Sequence, residues 1–234
     1  MPSSLKCYEL LTDNALLSFR PLNPPAAPSL NARSREFCAQ ALLERFEKYR
    51  VLHLSNVAQK CQKNALQWRG IGSLFSKLST DDQLSWCVET HEVAEREQSI
   101  TPASFLAPVR TDHRAYCSFL VQKDQEAFKE TESRLPIPDL PGVDWSHESA
   151  LWIFFGRNPA GSADLPGRVE HTDSISSDGT WHFQLSGSKK WFIRPTDELL
   201  QHMSNSLDHS EFQQWTSSCR LEIDCKQGDI LIIK

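Results

Sequence analysis

His171 and Asp173 stand two positions apart in the stretch VEHTDS, residues 169–174. An imidazole and a carboxylate at that spacing can hold a metal ion. In an extended strand, residues i and i+2 point to the same face, so a strand here turns both side chains one way and Thr172 the other. A neutral imidazole with a carboxylate makes two of the three ligands of the two-His-one-carboxylate facial triad. That triad leaves positions open on iron(II) for oxygen and substrate. The plainer reading of the same residues is a hydrogen-bonded His–Asp pair at a strand end. H-x-D alone does not choose between them.

The elements around the pair set the context. The chain has 234 residues, enough for a sizeable core in one domain with an N-terminal elaboration. Hydrophobic residues make up 39% and charged residues 24%, ordinary values for a soluble globular protein. The net charge of -5 comes with no basic stripe, so the electrostatic footprint of a nucleic-acid binder is missing. Seven cysteines form no C-x-x-C pair and read as reduced thiols of an intracellular protein. Cys219 and Cys225 with His202 and His209 match no common zinc spacing. The first residues lack the basic cluster, apolar run and cleavage site of a signal peptide. The most apolar run, ALWIFF, is too short to span a bilayer. These features place the expected location in the cytoplasm, the nucleus or both.

Along the chain, residues 1–35 read as an extended lead-in, since 20–34 are rich in proline and small polar residues. REFCAQALLERFEKYR carries Cys38, Leu42, Phe46 and Tyr49 near helical spacing and predicts an amphipathic helix. RVLHLSN predicts a strand and 56–85 a mostly helical stretch, with N-cap chemistry in STDDQ. AYCSFLVQ predicts a strand and KDQEAFKE a helix. From about residue 146 the texture turns to short runs of β-formers: ALWIFFGRN, GRVEHTDS, TWHFQLSG, KKWFIRP, CRLEIDC and DILII. LSGSKKW, with Gly187, and KQGD predict hairpin turns. PTDELLQHM and LDHSEFQQW predict inserted helices. The architecture inferred is α+β: a helix-rich stretch, 36–145, packed on a β-sandwich or barrel over 146–234, within one domain spanning 36–234.

In this order, ALWIFFG, HTD, FQLSGSKKW and CRLEIDCKQGDILII resemble the JmjC family of iron(II)- and 2-oxoglutarate-dependent oxygenases in the cupin superfamily. The look is closest to its small protein hydroxylases. Upstream, SFLVQKDQEAF and SRLPIPDL resemble the strand, helix and IPD segment that precede the barrel in those enzymes. The resemblance implies a double-stranded β-helix, the cupin or jelly-roll barrel, in the C-terminal half. It implies iron(II) as metal, 2-oxoglutarate as cosubstrate, and hydroxylation or demethylation of a protein or peptide side chain. Neither direct nucleic-acid binding nor a membrane partner is implied.

Carried over by position, His171 and Asp173 are the iron ligands and Lys189 pairs with the far carboxylate of 2-oxoglutarate. Thr180 stands where the family places an Asn or Thr near the cosubstrate. Lys190 is the plain alternative to Lys189, because two strand neighbours face opposite sides and only one of them points inward. The family's cosubstrate-binding tyrosine aligns with Phe119, and Tyr116 lies on the opposite strand face. Arg168 stands where a small hydroxyl residue is common, either binding a carboxylate or facing solvent. His182 reads as a hydrogen-bonded interior or rim histidine, and Trp152 and Trp191 as core. The family's distal histidine follows a segment that would begin near Lys234. The expectation is therefore a chain that stops before its third ligand and its last barrel strands. The alternative function is a catalytically inactive truncated isoform or pseudoenzyme acting as a protein-binding scaffold.

Overall fold

Apolar residues at every second position build most of the structure. The structure is a computed structural model describing residues 4–13, 16–22, 51–55, 68–90, 100–107, 114–123, 125–134, 150–158, 163–175, 179–194, 196 and 221–233. The amphipathic helix expected near 36–49 lies outside the described residues, as do the inserted helices expected at 195–203 and 207–215, Thr196 apart. The described elements are ten strands and four short helices, and every strand pairing among them is antiparallel. The mixture of helix and sheet expected of an α+β chain is present. The chain divides into two compact units, each assembled from separate stretches.

The first unit takes Met1–Lys63, Ile137–Asp144 and Asp173–Lys234. It contains β1 (Ser4–Asp13), β2 (Leu16–Leu22), β3 (Val51–Ser55), β7 (Thr180–Phe183), β8 (Ser188–Ile193), β9 (Leu221–Lys226) and β10 (Ile230–Ile233). Five of them form a sheet in the order β2-β1-β3-β10-β7, and β8 pairs with β9 in a second sheet. The stretch read as an extended lead-in thus contributes two strands. β1 pairs along β2 and also along β3. The proline-rich residues from 20 onward dominate the composition there and conceal the β-formers before them.

The two turns expected as hairpins are corners instead. β7 pairs with β10, not with β8, and β9 pairs with β8, not with β10. β7–β8 and β9–β10 therefore run as one long antiparallel ribbon, bent in the middle so that its halves join different sheets. At the bend, four residues, 184–187, face three, 227–229. That mismatch is a bulge, the usual device by which a strand switches sheets. Gly187 at φ 67° and Gly228 at φ 90° supply the positive φ that the corner requires. The ladder continues through it: Gln184 N donates to Asp229 O at 2.9 Å and Gly228 N to Gln184 O at 2.8 Å. Folding the ribbon brings Leu221, Ile223 and Cys225 of β9 against Val51 and Leu231, with Trp191, Ile193 and Ile233 at the margin. A flat hairpin would leave that face in water, so burial of the apolar residues favours the bend.

The second unit takes Asn64–Pro136 and Trp145–Thr172. It contains α1 (Trp68–Phe75), α2 (Thr80–Gln83), β4 (Cys87–Val88), α3 (Pro102–Phe105), β5 (Ala115–Gln122), α4 (Glu126–Arg134) and β6 (Ala150–Arg157). β4, β5 and β6 make a three-stranded sheet in that order. One face of it buries Ala115, Cys117, Phe119 and Val121 with Leu151, Ile153 and Phe155. Phe119 touches Phe75 and Phe155 edge-on, at 5.2 and 5.7 Å between ring centroids. Burial of a Phe side chain of this kind contributes ~2–3 kcal/mol. Ser79 caps α2 as STDDQ predicts, its hydroxyl accepting from Asp82 N at 3.1 Å.

Candidate functional site

The segment that carries the H-x-D pair is not a strand. Residues 163–175 show no strand pairing, and 169–175 are all exposed. This corrects the expectation of two side chains aimed from a strand into a barrel. Within GRVEHTDS only Val169 is a strong apolar residue, so a strand there would have no apolar face to bury. The boundary between the two units falls between Thr172 and Asp173, which places His171 in the second unit and Asp173 in the first.

His171 is nevertheless held. Its Nδ1 lies 2.6 Å from the carbonyl oxygen of Val169. A carbonyl only accepts, so Nδ1 donates this hydrogen bond. Metal-binding histidines are oriented in this way, the second nitrogen donating to a carbonyl or carboxylate. An imidazole so oriented and a carboxylate form a nitrogen–oxygen donor set suited to iron(II). His171 and Asp173 are thus of donor types that iron(II) takes, and both are exposed. Among the described residues, no three of His, Cys, Asp and Glu come together as a ready ligand group.

Lys189 and Lys190 are told apart by strand register. Lys189 lies opposite Cys225 and Trp191 opposite Ile223, so Lys189 shares the face that carries the core of the first unit. Its Nζ sits 3.9 Å from the centroid of the Trp191 ring, a cation–π contact. Lys190 points the other way, with Nζ 3.9 Å from Asp224 and both partners well exposed. Thr180 lies opposite Ile233 and His182 opposite Leu231, which puts both on the core side of β7. The His182 and Trp191 rings approach to 4.6 Å, so β7 and β8 bring His182, Trp191 and Lys189 together. Trp191 is partly buried, as a core-margin residue should be.

On the same core face, next to Val51 on β3 and opposite Leu231, lies a pair without a signature in the sequence. His53 of β3 places Nε2 3.1 Å from Asp229 Oδ2, and both residues are buried. The carboxylate also accepts from Lys226 N at 2.9 Å, closing the turn before β10. His53 Nδ1 is buried and meets no hydrogen-bond partner among the described residues.

In the second unit, the outer face of β5 and β6 holds a polar and aromatic cluster that the sequence reading missed. Glu89 is buried, and its Oε1 accepts from Ser118 Oγ at 2.5 Å. Its Oε2 faces Arg168 Nε at 3.3 Å. The Arg168 guanidinium lies over Trp152, 5.2 Å from the ring centroid. Trp152 stacks on Phe154 at 5.0 Å and Phe154 on Tyr116 at 5.9 Å. Arg168 therefore neither stands in solvent nor waits for a distant carboxylate, since Glu89 provides one. Trp152, expected in the core, is 44% exposed. Phe119, aligned with the family's tyrosine, belongs to the buried aromatic face, whereas Tyr116 is on the side of Glu89 and Arg168. Burial pushes the Tyr116 phenol up, with the Glu89 carboxylate adding to it and Arg168 opposing. The Cys87 thiol is raised by burial first and by Glu89 second. The signal available in the sequence was Ser118, a small polar residue inside the apolar run AYCSFLVQ.

Among the described residues no helix is long and apolar enough to cross a membrane. No family model, no curated protein and no solved structure matches this chain.

Proposed function

We propose that the chain is a JmjC-type protein dependent on iron(II) and 2-oxoglutarate, acting as a dioxygenase on a side chain of a protein or peptide. The observation that carries this reading is the core-facing Lys189, set on the Trp191 ring in the strand that follows the F-Q-L-S-G-S-K run. An ammonium anchored at a sheet interior suits the far carboxylate of a dicarboxylate. The bent ribbon of β7–β8 and β9–β10 suits a double-stranded β-helix, which is built from folded ribbons of this kind.

In this reading His171 and Asp173 hold the metal, His171 through Nε2. Iron(II), when bound with its cosubstrate, supplies the oxidation of a C–H bond by dioxygen. Lys189 binds and orients 2-oxoglutarate, and Thr180 offers a hydroxyl beside it. Trp191 and His182 line the Lys189 side and limit water there, which strengthens the ion pair.

The test is anaerobic addition of iron(II) and 2-oxoglutarate to the purified chain, followed by the metal-to-cosubstrate charge-transfer band. The expected result is a band that His171→Ala and Lys189→Ala both abolish while Lys190→Ala keeps it. A folded chain that gives no band sinks the oxygenase reading and leaves a cupin-like scaffold for protein binding.

A further inference from the structure

Glu89 is a carboxylate that the fold commits to meeting a cation. It is buried, and it is fixed through both backbone and side chain: Glu89 N donates to Tyr116 O at 2.7 Å, and Ser118 Oγ donates to Oε1 at 2.5 Å. A buried carboxylate left without a cation is strongly unfavourable. The wall beside it is aromatic, a stack of Trp152, Phe154 and Tyr116 along the outer face of β5 and β6. A fixed anion next to the face of an indole suits an organic cation. The cation present is the Arg168 guanidinium, with Nε 3.3 Å from Glu89 Oε2 and the guanidinium carbon 5.2 Å from the Trp152 centroid.

Three observations mark Arg168 as an occupant that a similar cation can replace. At 3.3 Å its Nε lies outside the ~2.7–2.9 Å of a strong charge-assisted hydrogen bond. The Arg168 side chain is 30% exposed against 6% for Glu89, and Trp152 is 44% exposed, so water reaches the cation and the indole but not the carboxylate. Residues 163–175, which carry Arg168, pair with no strand among the described residues, and all of them except Leu165 and Arg168 are exposed. Little apolar burial is therefore given up when the backbone around 168 moves aside.

We infer that this cage, on the outer face of the three-stranded sheet, is a docking site for an arginine side chain of a protein or peptide partner, and that Arg168 fills it as a tethered stand-in. The ligand class is a guanidinium and not an ammonium, because a plane must lie on the indole while its edge meets the carboxylate. The net charge of -5 draws basic partners toward the chain. The cage lies wholly within the second unit, and its chemistry needs neither iron nor 2-oxoglutarate.

The test titrates three short peptides, alike except for one central arginine, lysine or citrulline, into the natural chain and into Arg168→Ala. Binding is read by calorimetry and by the Trp152 indole N–H signal in nitrogen-labelled protein, assigned by its loss in Trp152→Phe. The arginine peptide should bind the natural chain and move that signal. The lysine peptide, which lacks the plane, should bind ~10-fold more weakly, and the uncharged citrulline peptide weaker still. A tethered competitor acts at millimolar effective concentration, so Arg168→Ala should bind the arginine peptide ~10-fold more tightly than the natural chain. Adding Glu89→Gln to that variant should abolish the gain. Should Arg168→Ala not fold, Arg168→Gln, which still offers Glu89 a donor, takes its place, and if neither folds the natural chain decides alone. A natural chain that does not distinguish arginine from citrulline overturns the docking site, even where a folded variant binds, since Arg168 is then a permanent part of the fold. Equal binding of the lysine and arginine peptides overturns the guanidinium assignment. A folded Arg168 variant that binds no more tightly than the natural chain overturns the stand-in role.

Discussion

Asp229 Oδ2 accepts hydrogen bonds from His53 Nε2 at 3.1 Å and from Lys226 N at 2.9 Å, joining β3 to the corner of the bent ribbon across 176 positions of sequence. One carboxylate thus closes a local turn and ties it to the centre of the five-stranded sheet.

Removing that carboxylate should cost more than removing its charge. Asp229→Ala leaves His53 Nε2 and Lys226 N unsatisfied beside a buried site, and a loss of about 3 kcal/mol is expected. Asp229→Asn keeps one acceptor oxygen and should cost roughly half as much. Urea unfolding of both variants and of His53→Ala checks this. Additive losses for the Asp229 and His53 variants would show that the two residues are not coupled.

The corner glycines should be sensitive in proportion to their φ. At Gly187 a Cβ would meet nothing within 4 Å, so only backbone strain opposes a side chain there. Gly187→Ala should cost ~1 kcal/mol, and Gly187→Asn less, because Asn tolerates left-handed φ. Gly228, at φ 90°, lies further from the left-handed minimum and should cost ~1–2 kcal/mol as Ala. The ranking is read from thermal unfolding midpoints.

Phe119 should behave as core, not as a cosubstrate residue. Phe119→Ala is expected to destabilise by ~3–5 kcal/mol. Phe119→Tyr places a hydroxyl among Phe75 and Phe155 and should cost ~1–3 kcal/mol. It should leave 2-oxoglutarate affinity unchanged. A gain in that affinity would restore the alignment of Phe119 with the family's tyrosine.

Two buried thiols set an alkaline limit. Burial pushes Cys117 up to about 12, helped by Cys87 and Glu89. Burial likewise pushes Cys225 up to about 12, helped chiefly by Asp229. Between the ordinary value of 9.0 and about 12, the unfolded chain releases these protons while the folded chain keeps them. The unfolded state then binds fewer protons, so stability falls as pH rises, by at most ~1.4 kcal/mol per pH unit for each thiol. Below pH 9 the contribution is fully present. Cys117→Val should flatten the decline measured by denaturant unfolding from pH 8 to 11.

Lys189 and Lys190 should differ sharply. Lys190→Ala removes an exposed pair with Asp224 and should change stability by less than ~0.5 kcal/mol. Lys189→Ala removes the proposed anchor for a carboxylate and should weaken 2-oxoglutarate binding roughly 10–100-fold, in line with hydrogen bonds to charged groups. Calorimetric titration of the iron-loaded chain separates them. Equal affinities in both variants would remove Lys189 from the site.

Local signals were legible in the sequence because their causes are local. AYCSFLVQ is a run rich in β-formers and becomes β5 over its whole length, and Ser79 caps a helix with its own hydroxyl. The runs that became β6 to β10 were marked by β-formers between turn residues. H-T-D, G-S-K and the corner glycines were visible as residue types. Partnership was not visible, because it depends on residues far apart in the chain. Only register placed Lys189 inward and Lys190 outward, and only the bulge at 184–187 turned two apparent hairpins into one folded ribbon. Glu89 and Arg168 meet across 79 positions, where no periodicity links them. Sequence by itself determined most of the segments that extend, GRVEHTDS excepted, and the residue types able to carry chemistry, since backbone preference and side-chain type belong to each residue. The tertiary structure alone decided which faces are buried and which charges pair, because burial and Coulomb attraction exist only once distant segments are brought together.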